Sequence, residues 1–193
     1  MTDHWVVFDY GEVLCSRTTA LPRLADRLGV SASAFEPAYW AHRDAYDRGA
    51  GDLAYWQAVG DTVDVDVDEP LARELTDLDV HGWSEVDPDA VALLESLAEA
   101  GARLALLSNA PVSFARHAER QPWTRHFRQL LFSGDVRMAK PDAAIFQLLC
   151  ERLGARPQDC LFFDDRPVNV EGARAAGLRA EVWHGVSTAK QVL

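Results

Sequence analysis

The chain has 193 residues, of which 48% are hydrophobic and 25% charged, and it carries a net charge of −11 at pH 7. That length suits one domain with an insertion or a small second domain. The acidity argues against a nucleic-acid partner, because a phosphate backbone needs a basic face.

The first element is the apolar run Trp5-Val-Val-Phe8, followed at once by Asp9. A short apolar run reads as a buried strand, with the acid emerging at its carboxyl end. Residues 16–86 are helical in pattern throughout, over 21–28, 34–48, 53–59 and 70–78, with Gly29, Gly49, Gly51 and Gly60 as punctuation. The Val-Asp alternation at 63–68 reads as an acidic loop. Its aromatic-rich group, Tyr39, Trp40, Tyr46, Tyr55 and Trp56, reads mostly as the core of this segment, with Arg43, His42 and Arg17 as candidates to face a site.

From residue 87 the rhythm changes to alternating helices and strands. Asp87-Pro88 opens a helix to Ala100, stopped by Gly101. A strand follows at 103–107 and a helix from Pro111. A short strand at 129–132 precedes a helix from Pro141 that ends at Gly154. The run Cys160-Leu-Phe-Phe163 is the next strand, and it leads directly into Asp164 and Asp165. A helix from Pro167 to Ala176 and a strand at 179–183 complete the pattern. Repeated β-α units with short connections predict a parallel sheet covered by helices on both faces. Ligands bind such sheets at the carboxyl ends of the strands.

The strand-end residues are Asp9, Ser108, Lys140, Asp164 and Asp165. Adjacent carboxylates repel unless something positive sits beside them. Three of them at one point make a hard-cation site of the kind Mg²⁺ occupies with carboxylates, waters and a substrate phosphate. An aspartate beside a cation is a poor base but a competent nucleophile toward phosphorus. A hydroxyl and a lysine nearby can hold the transferring oxygens. The structural alternatives are plain ones: Asp164-Asp165 as helix N-cap residues ahead of Pro167, and Ser108 as the cap of the helix at Pro111. Lys140 ahead of a helix start is electrostatically awkward, since cations favour helix C-termini.

The three cysteines, Cys15, Cys150 and Cys160, form no C-x-x-C pair, so neither a disulfide framework nor a zinc site is expected. Cys150 and Cys160 read as core thiols. No run nears 18 apolar residues, and Asp3 and His4 spoil a signal peptide. No membrane partner is expected, and the predicted location is a reducing cytoplasm. His4, His81, His117, His126 and His184 show no ligand spacing and read as surface residues.

Four stretches in order resemble the haloacid dehalogenase-like (HAD) hydrolase superfamily. They are Phe8-Asp9-Tyr10-Gly11-Glu12-Val13-Leu14, Leu107-Ser108-Asn109-Ala110, Ala139-Lys140-Pro141-Asp142, and Phe162-Phe163-Asp164-Asp165-Arg166-Pro167. The tail of the last, Asn169-Val170-Glu171-Gly172-Ala173, resembles the subgroup with the phosphatase domain of soluble epoxide hydrolases and bacterial sugar-phosphate phosphatases. The resemblance implies a Rossmann-like three-layer α/β core with strand order 3-2-1-4-5, made of residues 1–15 and 87–193. It implies a helical cap, residues 16–86, inserted after the first strand. It implies a Mg²⁺-dependent phosphatase acting through an aspartyl-phosphate on a small phosphorylated metabolite, as a monomer or homodimer. Asp9 is then the nucleophile and a metal ligand. The Gly11 carbonyl, Asp165 and Asp164, directly or through water, complete the ligand set. Tyr10, Gly11, Ser108, Asn109 and Lys140 surround the phosphoryl group.

One position departs from the family pattern. Gly11 stands where most phosphatases of the superfamily carry a second aspartate that serves as general acid and base. Such help is worth about 10²–10⁴-fold. Glu12 or a cap residue is a candidate replacement. The competing functions are a 2-haloacid dehalogenase, which the acidic pair argues against, and a catalytically weak binding or regulatory protein, which Gly11 favours.

Overall fold

The computed structural model describes residues 4–193. Residues 1–3, where the predicted core segment begins and Asp3 lies, are outside the described residues.

Five strands, β1 Trp5–Phe8, β2 Arg103–Ser108, β3 Gln129–Phe132, β4 Cys160–Asp164 and β5 Arg179–Val182, form one sheet. Its order is β3-β2-β1-β4-β5, and every pairing is parallel. The central strands are apolar on both faces because helices cover both. Alternate residues point to opposite sides. Phe8, Leu104, Leu106, Leu161 and Phe163 join one core cluster, and Trp5, Val7, Ala105, Leu107, Cys160 and Phe162 the other. The first lies under α6 Pro88–Glu99 and α7 Val112–Ala118, the second under α9 Ala143–Leu153 and α10 Pro167–Ala175. Cys15, Cys150 and Cys160 are free and buried.

Register sets the site. Phe8 pairs with Leu106 on one side and Phe163 on the other. Asp9 therefore emerges level with Leu107 and Asp164, and its N–H donates to the Phe163 carbonyl at 2.9 Å.

Between β1 and α6 the chain forms α1 Leu21–Leu28, α2 Ala32–Ala41, α3 Arg43–Asp47, α4 Asp52–Thr62 and α5 Glu69–Gly82. Leu24, Phe35, Tyr39, Tyr55, Trp56, Val59 and Leu75 give these helices a hydrophobic cluster of their own. Ser31 and Asp68 cap α2 and α5 through side-chain bonds to the N–H groups of Ala34 and Leu71. The single helix expected over 34–48 is two helices broken at His42. The second is tied to the sheet side as well as to its neighbours: the Tyr46 hydroxyl lies 3.0 Å from Ser113 Oγ, and Ser133 Oγ donates to the Asp47 carbonyl at 2.5 Å, while Tyr46 stacks on Tyr55 and Arg43 pairs with Asp79. The segment 63–68 is a loop up to the Asp68 cap, as its polar alternation suggested. Two helical turns, α8 Ser133–Val136 and α11 Val186–Ala189, are too short to leave a periodicity in sequence.

Two histidines depart from the surface reading. His117 is half-buried, bonded to Ser84 Oγ and to Gln121, and His126 is half-buried with its Nε2 enclosed. Phe114 packs beside His117, with ring centroids 6.5 Å apart.

Gly172 is where the fold needs the absence of a side chain. A Cβ there would lie 2.6 Å from the Pro141 carbonyl oxygen. This lets α10, which follows the acidic pair, pack directly on the loop carrying Lys140.

Candidate active site

Asp9, Ser108, Lys140 and Asp164 are each under a tenth exposed, and they converge where β1, β2 and β4 end. One oxygen each from Asp9, Asp164 and Asp165 lies within 4.8 Å of the others. Lys140 closes the group. Its Nζ is 2.7 Å from Asp9 Oδ1, 2.7 Å from Asp164 Oδ2, and donates to the Leu107 carbonyl at 3.0 Å. The helix that looked awkward behind this lysine starts only at Ala143, and the ammonium turns back into the strand ends.

Each carboxylate is held differently. Asp9 Oδ1 also accepts the Tyr10 N–H at 2.7 Å. Asp164 is saturated: Oδ1 takes the Arg166 N–H and the Asn169 amide, and Oδ2 takes Lys140 and that same amide. Asp165 is the more open of the pair. Asn109 staples the Ser108 end to the Lys140 loop, donating to the Lys140 carbonyl and accepting its N–H, both at 2.9 Å.

Burial pushes Asp9 up to about 8, with Lys140 pulling the other way and Asp164 adding to the rise. Burial likewise pushes Asp165 up to about 6, helped by Asp164 and Glu12. Burial alone would lower Lys140, but Asp9 and Asp164 outweigh it and hold its proton more tightly. Fully ionised, the three acids and one lysine carry two more negative charges than positive. A divalent cation balances that charge. Asn169 fits one too: its side chain is 2% exposed, it lines the cavity, and its Oδ1 is enclosed without a partner, an acceptor suited to a metal-bound water.

A cavity of about 140 Å³ lies over these groups. Its floor holds Asp9, Tyr10, Gly11, Ser108, Asn109, Lys140 and Asp165, so all the predicted site residues meet there save Asp164, which lies behind Lys140. The opposite wall is Trp40, Arg43, Asp47 and Trp83. Of the sequence candidates on that side, Arg43 faces the cavity. His42 turns away to Thr62, and Arg17 pairs with Glu36 at the outer mouth. The rest of the aromatic group is core, as expected. Asp47 and Trp83 carry no sequence motif, and Asn169 belongs to the quoted motif tail without being a site candidate. Only the Arg43-x-x-x-Asp47 spacing, which allows an i,i+4 pair, hinted at the first.

An α/β core whose strand ends gather acids around a lysine can bind a cation and hold a polar ligand at that edge. The comparisons place the chain by family. Residues 4–177 match the haloacid dehalogenase-like hydrolase family, and the protein belongs to it. Phosphatase MT3486 from Mycobacterium tuberculosis is 36% identical over 109 residues, 55% of this chain and 50% of that protein. (S)-2-haloacid dehalogenase 1 from a Pseudomonas species is 30% identical over 129 residues, 64% of this chain and 57% of that one. The matches thus span about half the length of these relatives. In fold, the magnesium complex of a HAD family enzyme from Bacteroides thetaiotaomicron superposes with a TM-score of 0.80 at 16% identity, covering 100% of this chain and 99% of that one. A dehalogenase with an intermediate complex superposes at 0.70 and 22% identity, covering 98% and 96%. Among the described residues no helix is long and apolar enough to cross a membrane.

Proposed function

We propose that this protein is a Mg²⁺-dependent phosphatase acting on a small phosphomonoester through an aspartyl-phosphate on Asp9. The observation that carries the reading is the convergence of Asp9, Asp164 and Asp165 on one point with a buried lysine between them. Asp9 and Asp165, with the Gly11 carbonyl, would hold the metal, and it would supply charge neutralisation at the transferring phosphoryl group. Asp164, with its oxygens already bonded, would act through water and by fixing Lys140. Lys140 and the Tyr10 N–H hold Asp9 Oδ1, which orients the carboxylate for attack. Ser108 and Asn109 would receive the phosphoryl oxygens, as would Lys140. The helical insertion would serve as the cap that selects the substrate, a small metabolite given the cavity volume.

The dehalogenase relatives give the competing reading. Its substrate is an anion that releases another anion, so its site needs free positive charge. Here Lys140 is matched by two carboxylates and Arg43 on the cap wall is paired with Asp47 and Asp79, which leaves Arg166 to meet such an anion, while the three-acid cluster favours a cation instead. One assay separates the readings: p-nitrophenyl phosphate with Mg²⁺ and with EDTA, beside chloride release from 2-chloropropionate. Metal-dependent phosphate release is expected. EDTA-resistant chloride release would sink the proposal, and silence in both would favour a binding protein.

Metal binding is also visible without turnover. Ligand at 100-fold its Kd stabilises the folded state by about 2.7 kcal/mol. For a chain of this size that is roughly a 5–10 °C rise in Tm on adding Mg²⁺. EDTA should reverse it, and Asp165→Asn should abolish it. A Tm indifferent to Mg²⁺ would remove the metal from the scheme.

A further inference from the structure

We propose that Asp47, brought over the site by the helical insertion, gives a proton to the leaving oxygen and later takes one from the hydrolytic water. This rests on the phosphatase reading. It supplies the chemistry for which position 11 has no side chain.

The two walls of the cavity carry the argument. Asp47 lines the same cavity as Asp9, Ser108 and Lys140, and it does so from the insertion side. An acid for the leaving group must stand on the substrate's side of the phosphorus, facing the nucleophile across it. A Cβ built at position 11 would make only an ordinary contact, 3.7 Å from Trp83 Cζ3, so the position lacks its acid by residue type and not by want of room.

Asp47 is also fixed in place. Its backbone carbonyl accepts Ser133 Oγ at 2.5 Å, the preceding Tyr46 hydroxyl lies 3.0 Å from Ser113 Oγ, and the following Arg48 pairs with Asp142 at 2.7 Å. Three contacts to the core on three successive residues hold the end of α3 over the strand ends. Asp47 Oδ1 accepts Arg43 Nε at 2.9 Å. Arg43 is itself held by Asp79 at 3.1 Å and by the Tyr39 hydroxyl, and it stacks over Tyr39, Tyr46 and Trp83. Such a locked guanidinium can position Asp47 and steady it when it is ionised. Glu12 also lines the cavity but is exposed, and no hydrogen bond holds its carboxylate among the described residues.

Burial pushes Asp47 up to about 6, Arg43 opposes this, and Asp79 and Asp44 add to it. Across the cavity it faces Lys140, Asp165 and Arg166. It therefore keeps a protonated fraction near neutrality, as a group that alternates between acid and base must.

The steps balance. As the bond from Asp9 to phosphorus forms, the bond from phosphorus to the leaving oxygen breaks. That oxygen keeps the electron pair and takes the Asp47 proton. Water then attacks phosphorus, the Asp9–phosphorus bond breaks, and the water's proton returns to the Asp47 carboxylate.

The test compares phenyl phosphate with p-nitrophenyl phosphate, in Mg²⁺. The two have nearly the same shape, but only the first has a leaving group that needs a proton. Asp47→Asn is expected to lower kcat/KM, which reports events up to departure of the leaving group, by about 10²–10⁴-fold on phenyl phosphate and far less on the nitro compound, while kcat falls on both because the hydrolytic water loses its base. Asp47→Glu, which keeps a transferable proton, should recover part of the phenyl phosphate rate. Equal losses of kcat/KM on both substrates, no loss on either, or no recovery with Glu would overturn the assignment of Asp47 while leaving the phosphatase reading intact. A wild-type protein inactive on both substrates would instead bring down the phosphatase reading, and this assignment with it.

Discussion

Asp9→Asn is expected to abolish turnover, by roughly 10⁴-fold or more, as removal of a covalent nucleophile does elsewhere. The fold should survive the change. Asn is close in size, and the Tyr10 N–H can still donate to the amide oxygen. Burial raises the pKa of Asp9 to about 8, so in the metal-free protein its ionisation opposes folding. The folded state holds this proton more tightly than the unfolded chain does. The stability it contributes is present below the ordinary aspartate range and is lost as pH rises through about 8. In EDTA, the wild-type protein should therefore lose stability between pH 5 and about 8, and Asp9→Asn should flatten that slope. Denaturant titrations at the two ends of the window measure it. Acid-quenched protein from a phosphatase reaction should carry phosphate on the wild type and none on the variant. An Asn variant with wild-type turnover would remove residue 9 from the chemistry.

Lys140→Met should be the most damaging single substitution to the fold of the site. The lysine side chain is fully enclosed and lies 2.7 Å from two carboxylates. Removing one partner of a buried ion pair leaves uncompensated charge, at a cost of about 3–5 kcal/mol. The added Asp164→Asn change removes one of the stranded charges and should restore part of that stability. The double variant is then less destabilised than the two single effects predict together, as coupled neighbours are. Lys140→Arg should not rescue the site, because a planar guanidinium does not fit an enclosure shaped around a compact ammonium. Strict additivity in chemical denaturation would show that the lysine and Asp164 do not act as a unit. Activity is expected to be lost in all three variants, since the same ammonium orients Asp9.

Much of the core was legible along the chain. The apolar runs ending in Asp9, Ser108 and Asp164 are strands because their length and lack of alternation leave burial on both faces as the outcome. The glycine and proline punctuation located most helix ends within a few residues. The break at His42 was not legible. It has no proline or glycine of its own, and at it the chain turns to bond Ser113 and Ser133 of the core while Arg43 keeps its hold on Tyr39 of the helix before. The same contacts explain why Asp47 escaped notice. In sequence it is one of many acids on a helical surface, and it meets the cavity only through residues 86 positions away. Arg43 was a weak candidate for the reverse reason: its pattern suits a substrate contact, but the structure pairs it with Asp47 and Asp79.

Local pattern alone settled the alternation of strand and helix, the acids at the strand ends and the helical nature of the insertion. These depend on periods of two and 3.6 residues and on which side chains tolerate burial. Folding in three dimensions decided which charges neutralise which. Lys140 between Asp9 and Asp164, the saturation of Asp164 and the placing of Asp47 opposite the floor of the cavity all join residues far apart in the chain. Electrostatic energy depends on distance through a low-dielectric interior, and no one-dimensional spacing records that distance.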